Sequence, residues 1–320
     1  ARRLKTVDGY AETYDKVSED IAAADRHLIE LNEAYGQMYE RVSSEKLRRD
    51  SIAQRISTYK AMEEHFEGYA ASVKYVMNRY AEGKITGFNG EPCGTVYGPL
   101  SKVISVDQPY ITAVETALGA NLQNIVVEDE DTAKAAMYCP KRGEAGRATF
   151  FPLTSMRGQT PTPEMQKAAG FEGYIAVADT LVSCDQRFTT VVSSLLGRTV
   201  VFDNIDHATA MAKALHYRVR VVTLDGQQIN VGGSFTGGSV SQKNGALARA
   251  GEIKRLGEEL KTLEAKVAEA EKALAAKREE IKSADEDKTA LEDKRDLVRV
   301  LLNNEKAQLD QLEAKRDAND

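Results

Sequence analysis

Apolar residues recur in alternating steps of three and four along both ends of the chain, and the pattern is missing from its centre. From Ile253 the series runs Leu256, Leu260, Leu263, Val267, Ala270 and Leu274. It continues through Lys277, Ile281, Ala284, Lys288, Leu291, Arg295, Val298, Leu302, Glu305, Leu309 and Leu312. Fourteen of those eighteen positions are apolar and the frame never slips. A period of 3.5 sustained over this length predicts a coiled coil, because it keeps one narrow seam facing a partner helix. The other end repeats the pattern from Val17 through Ile21, Leu28, Leu31, Val42, Ile52 and Ile56 to Val73, Met77 and Tyr80.

Two arms, 1–83 and 246–320, leaving one central domain at adjacent points can zip together antiparallel within one chain. That pairing sets Met77 and Tyr80 beside Ile253 and Leu256. The first arm is the less regular. A three-residue step from Tyr14 to Val17 overwinds it, Gly9, Gly36 and Gly68 weaken it, and its seam carries Glu45 and Arg49. A bend or break near residues 43–50 is one reading of these features, and a tolerated irregularity is the other. Both ends stop in mid-heptad, which suggests a longer rod.

The centre carries a degenerate repeat. Residues 108–119 end in Ala117-Leu118-Gly119, followed by Ile125-Val126-Val127, an acidic turn and an alanine-rich helix from Thr132. Residues 188–197 end in Leu195-Leu196-Gly197, followed by Val200-Val201-Phe202, Asp203 and a second such helix from Ala208. Each block reads helix, glycine stop, buried strand and Asp-started helix, with left-handed caps at the glycines and Asp N-caps. A further strand follows each, Arg147–Leu153 and Val219–Leu224. The prediction is a mixed α/β domain of two lobes, 84–156 and 172–245, joined by a Pro- and Gly-containing connector at 157–171.

Net charge, −6 overall, is spread over all three regions, so any nucleic-acid contact has to come from a local patch. Cys93, Cys139 and Cys184 are odd in number and widely spaced, as reduced thiols of a cytoplasmic protein would be. The four histidines are scattered, so no metal site is expected. No apolar run is long enough to cross a bilayer.

The glycine-rich stretch 232–239 lacks the Gly-Lys-Ser/Thr of a phosphate loop, which leaves a flexible tether or a contact surface. Glu128-Asp129-Glu130-Asp131 suits a helix N-terminus better than a metal. Arg218, Arg220, Lys243 and Arg249 form the local basic grouping in an otherwise near-neutral domain. Either they are solvated surface or they contact DNA, with modest, salt-dependent affinity. No nucleophile–base grouping or carboxylate pair identifies a catalytic residue, so an enzyme lobe inserted in a coiled coil is disfavoured.

Several stretches together resemble one family. They are Gly94-Thr95-Val96-Tyr97-Gly98-Pro99-Leu100, Gly146-Arg147-Ala148-Thr149-Phe150-Phe151-Pro152-Leu153, Val219–Gly226 and Gly232-Gly233-Ser234-Phe235-Thr236-Gly237-Gly238-Ser239. In this order they are similar to the hinge region of bacterial-type SMC (structural maintenance of chromosomes) proteins, with its flanking coil. The resemblance implies a homodimerising hinge without a cofactor, contacting its copy through Gly232, Gly233, Gly237 and Gly238. It implies a ring or rod that handles DNA in the cytoplasm, at the nucleoid. The family's ATP-binding motifs belong to a head domain that nothing here matches, so this stretch of chain is expected not to hydrolyse ATP. A hinge acting mainly as a DNA-binding module is the alternative. A zinc hook would need a Cys-x-x-Cys that is absent.

Overall fold

The structure, a computed structural model, describes residues 2–87, 90–143, 145–238 and 245–317. The first arm is one helix, α1 (Arg2–Glu64), and the second is another, α9 (Ala246–Asp317). Two compact units are built on them: an outer unit of residues 1–53 with 259–320, and a central unit of residues 54–258.

In the outer unit Val17, Ile21, Leu31 and Val42 of α1 are buried, as are Leu263, Val267, Val298 and Leu302 of α9. All are seam positions of the heptad pattern. The direction of pairing shows in the ion pairs. Asp25 meets Lys288 at 2.7 Å, Lys46 meets Glu271, and Arg48 meets Glu259 at 2.7 Å. Partner numbers fall as α1 numbers rise, so the arms run antiparallel.

The helix does not break at 43–50. α1 passes through this stretch unbroken, because Lys46 and Arg48 find carboxylates on the facing arm and the apolar seam resumes at Ile52. The interruption falls later, in the central unit, where Phe66 (φ 52°) and Gly68 (φ 85°) turn the chain out of the helix. A short helix, α2 (Ala71–Ala81), follows. Its Val73 and Val76 are buried in the central domain, with Met77 and Tyr80 packed on the same cluster around Ile85, Val96 and Ile125. Met77 and Tyr80 thus do not stand beside Ile253 and Leu256 as the continuous seam implied. Arg55 ion-pairs with Glu252 at 3.2 Å instead, so the last turns of α1 take that place.

The central domain follows the predicted repeat. The first lobe holds β1 (Val96–Pro99), α3 (Leu100–Val103), β2 (Ile104–Val106), α4 (Ile111–Leu118), β3 (Ile125–Val127), α5 (Glu130–Arg142) and β4 (Phe150–Pro152). The second holds α6 (Pro163–Ala168), β5 (Tyr174–Val177), β6 (Val182–Cys184), α7 (Thr189–Leu196), β7 (Thr199–Phe202), α8 (Ile205–Ala214) and β8 (Arg220–Thr223). A hairpin closes it, β9 (Gln228–Ile229) with β10 (Phe235–Thr236). In each lobe the repeat supplies a parallel pair, β3 with β4 and β7 with β8, crossed over by α5 or α8. An antiparallel strand, β1 or β5, flanks the other side.

Strand alternation builds three layers of core. Ile125 and Val127 face a cluster with α2 and α5, while Val200, Phe202 and Val221 face another with α6 and α8. Val126, Val201 and Val222 point the opposite way, into one shared cluster with Val114, Leu118, Val191 and Leu196 from α4 and α7. The lobes therefore share a core, and β2 pairs antiparallel with β6 across the join. The connector is not bare loop: Met165 and Ala168 of α6 are buried on the second lobe.

Two caps differ from expectation. Asp129 caps α5, accepting from Thr132 N at 2.8 Å, but α8 is capped by Asn204, which accepts from His207 N at 2.9 Å. Asp203 instead accepts from the His207 ring. Gly119 takes the left-handed value (φ 51°), whereas Gly197 is right-handed (φ −61°). Gly197 is needed for space, since a Cβ there would lie 2.7 Å from the Gln159 carbonyl of the connector.

Candidate dimer interface

The glycine-rich stretch folds as the β9–β10 hairpin and the segment just after it. Phe235 pairs with Ile229 and Thr236 with Gln228. Asn230 N donates to Ser234 O at 2.8 Å, and Gly233 N to Asn230 O at 3.0 Å, closing the turn. Gly232 (φ 91°) and Gly233 (φ 92°) both lie in the left-handed region, where any side chain is strained. Gly238 (φ 141°) does so too, and a Cβ on Gly237 would run into the Gln227 side chain. Gly232, Gly233 and Gly238 thus have a local reason to be glycine, independent of any partner, whereas at Gly237 the flexible Gln227 side chain can move aside.

β10 is the outermost strand of the order β10-β9-β8-β7-β5. Among the described residues no strand covers its far side. Two apolar side chains flank the turn in the open, Val231 at 64 % exposure and Phe235 at 53 %. A bare edge with exposed apolar groups is a template for strand addition. The first lobe has a bare edge too: in the order β1-β3-β4, strand β4 pairs on one side only, among the described residues. β4 occupies the place in its lobe that β8 occupies in the other, and β8 is the strand that carries the hairpin. The exposed Phe235 within a Gly- and Ser-rich run was the available sequence signal for this edge. Nothing in the sequence marked β4 as its counterpart.

The basic candidates do not form one surface. Arg218 precedes β8, is exposed, and lies 3.8 Å from Glu164. Arg220, expected on the same solvated face, turns inward. Its Nη2 donates to Ala117 O and to Gln228 Oε1, both at 2.9 Å. With Gln228 Nε2 donating to Thr116 O at 3.3 Å, it closes the C-terminal end of α4. Arg249 is only 5 % exposed, and its Nε donates to Glu63 Oε1 at 2.7 Å. Both make structural contacts inside the central unit, Arg220 with the end of α4 and with β9, Arg249 with the end of α1. Lys243 lies outside the described residues. Arg218 is joined instead by Arg198, which precedes the parallel strand β7, by Lys213 in the last turn of α8 and by His216 after it, all exposed.

Where the arms enter the domain, Glu115 of α4 accepts from Ala248 N in the first turn of α9 at 3.0 Å. Burial pushes its carboxyl pKa up, against those helix N–H groups and Arg249. Lys102 of α3 donates to Glu63 O at 2.6 Å and sits 4.0 Å from the centre of the Phe66 ring.

Known proteins place this architecture. Residues 94–212 match the family model of the SMC proteins flexible hinge domain. The chain is 39 % identical over 206 residues to the chromosome partition protein Smc of Desulfitobacterium hafniense, covering 64 % of this chain and 17 % of that protein. It is 33 % identical over 246 residues to the Bacillus subtilis protein of the same name, covering 76 % and 19 %. It therefore spans less than a fifth of the length of these relatives. Among solved structures, an asymmetric dimer of the Geobacillus stearothermophilus SMC hinge domain superposes with TM-score 0.62 at 30 % identity, over 81 % of this chain and 98 % of that one. The two-lobed repeat, the paired arms and these matches agree: the chain belongs to the SMC hinge domain family, with the coiled coil that flanks the hinge.

Proposed function

We propose that this chain is the homodimerisation hinge of a bacterial chromosome-organising SMC protein, joining two coiled-coil arms into a ring or rod that handles DNA. The observation that carries the reading is two unlike end strands at equivalent sides of the lobes, β10 beyond β8 on one and β4 on the other. A second copy offers both edges at once, so the β10 hairpin of each copy adds to the β4 edge of its partner and two equivalent contacts form. The glycines keep the hairpin thin enough for that approach. The dimeric Geobacillus stearothermophilus hinge supports the reading. The fragment works by association, without catalysis or a cofactor, and the ATPase head belongs to the whole protein. The setting is the cytoplasm, at the nucleoid.

Sedimentation equilibrium tests the association without being misled by the arms. Twice the chain mass of 35.1 kDa is expected at micromolar concentration; a monomer there contradicts the reading.

DNA contact is a second role, favoured by the exposed cluster of Arg198, Lys213, His216 and Arg218 at one end of the second lobe. Phosphate contacts of this kind are steeply salt-dependent and indifferent to sequence. Binding titrations on unrelated duplexes at two salt concentrations test it; affinity that salt leaves unchanged contradicts it.

A further inference from the structure

A seam with a seven-residue repeat does not by itself choose a register. Sliding α9 by one heptad puts Leu263 in the place of Leu256 and Val267 in that of Leu260, apolar on apolar. The seam here is also thin. Between Val267 and Val298 no residue of α9 is fully buried, and Lys277, Lys288 and Arg295 take seam positions. The ion pairs along the arms are exposed, such as Arg48–Glu259 with side chains 63 % and 30 % accessible. Such pairs discriminate weakly. A non-repeating feature has to make the choice.

We propose that the Arg249–Glu63 ion pair sets the register of the two arms. Arg249 is the one buried charged residue among those described. It binds the end of α1 through Glu63 Oε1 at 2.7 Å and the non-helical segment beyond through Glu67 O at 3.2 Å. That end is already fixed to the first lobe by Lys102, which holds Glu63 O, and by Gln123, whose side chain accepts from Ala70 N at 2.7 Å. Arg249 therefore reads the position of α9 against a fixed mark. A slip of one heptad in one direction sets Leu256 against Glu63 and leaves the buried Arg249 and the half-buried Glu63 carboxylate without each other. The Glu115 contact to the first turn of α9 is lost as well. Buried ion pairs add little net stability over apolar side chains, but breaking one is costly, which suits them to selecting a register.

Disulfide trapping in the full chain tests this. A cysteine replacing Arg48 is combined with Glu259→Cys to report the present register, or with Lys266→Cys or Glu252→Cys to report slips of seven either way. Crosslinks are located by peptide mapping. With Arg249 and Glu63 intact, only the 48–259 link is expected to form readily. Arg249→Met and Glu63→Gln should each raise the slipped links relative to it by about tenfold. The double variant Glu63→Leu/Arg249→Leu leaves no charge unpaired, so it folds even where a single variant does not. It should show the same mixture of registers. A ratio unchanged in the double variant overturns the proposal.

Discussion

Ser105 stands opposite Ser183 in the ladder between β2 and β6, and the two serines hold the same position of the internal repeat. Ser105-Val106-Asp107-Gln108 aligns with Ser183-Cys184-Asp185-Gln186. A residue can face its own equivalent in an antiparallel ladder only at a local twofold axis. The two lobes are therefore related by a twofold rotation through this short ladder, and α4 and α7 meet in the shared core beside it.

The lobes should accordingly melt as one. Leu118 and Leu196 are equivalent and both buried in the shared cluster. Replacing either with Ala should cost about 2–5 kcal/mol. Hydrogen exchange in α5 and α8, followed through a urea titration, should report a single transition in both lobes. Separate midpoints would contradict the shared core.

Much of this was legible in the sequence. The heptads named the seam, and the repeat named the strands of both lobes and the helices between them, though not their parallel pairing. The misreadings share a physical origin. Glu45 and Arg49 looked like a weak point because the partners of their neighbours Lys46 and Arg48, Glu271 and Glu259 on the facing arm, are distant in sequence. Phe66 to Tyr80 kept the heptad spacing although α2 buries its apolar face in the first lobe. Spacing records which side of a helix is apolar, not what covers it. Arg220 and Arg249 read as surface because charge is ordinarily solvated, and their acceptors, Ala117 O and Glu63, are distant in sequence. Asn204 displaced Asp203 as a cap because His207 occupies the Asp203 carboxylate.

Association through the hairpin should be separable from folding. Val231 and Phe235 are exposed, so Val231→Glu and Phe235→Glu should change the stability of the single chain by no more than about 0.5 kcal/mol. The dimer should weaken by tenfold or more, about 1.4 kcal/mol. Sedimentation equilibrium and thermal melting of the same samples check both. A dimer of unchanged affinity moves the contact away from the hairpin.

The three described arginine candidates should part company. Arg218→Glu should weaken DNA binding on every sequence alike and leave the melting temperature in place. Arg220→Ala should strip a donor from Ala117 O and Gln228 and cost about 1–3 kcal/mol of stability. Arg249→Ala should also destabilise the chain. Fluorescence anisotropy on DNA, paired with urea denaturation, tells charge loss from fold loss. Arg220→Ala that lowers affinity without lowering stability would restore it as a DNA contact.

His207 should make stability depend on pH. The hydrogen bond from its Nδ1 to Asp203 at 2.9 Å raises its pKa above the ordinary 6.5, with Glu172 3.8 Å from Nε2 adding to the effect. A raised pKa in the folded state stabilises fully below 6.5 and is lost as pH rises through the folded value. His207→Gln should therefore lower the melting temperature most in mild acid, and the gap should narrow as pH rises. A gap that widened with pH would reverse the assignment.

α2 changes what counts as a transferable part. Val73, Val76 and Ile85 fill the outer core of the first lobe, yet all three precede the residues that match the family model, 94–212. At the other end β8, which completes the parallel pair of the second lobe, follows that match. A graft of 94–212 into another rod would carry one lobe without its covering helix and the other without its central strand partner. The portable unit extends from the turn at Phe66 to the first heptad of α9, and an exchange between relatives keeps its core only when cut there.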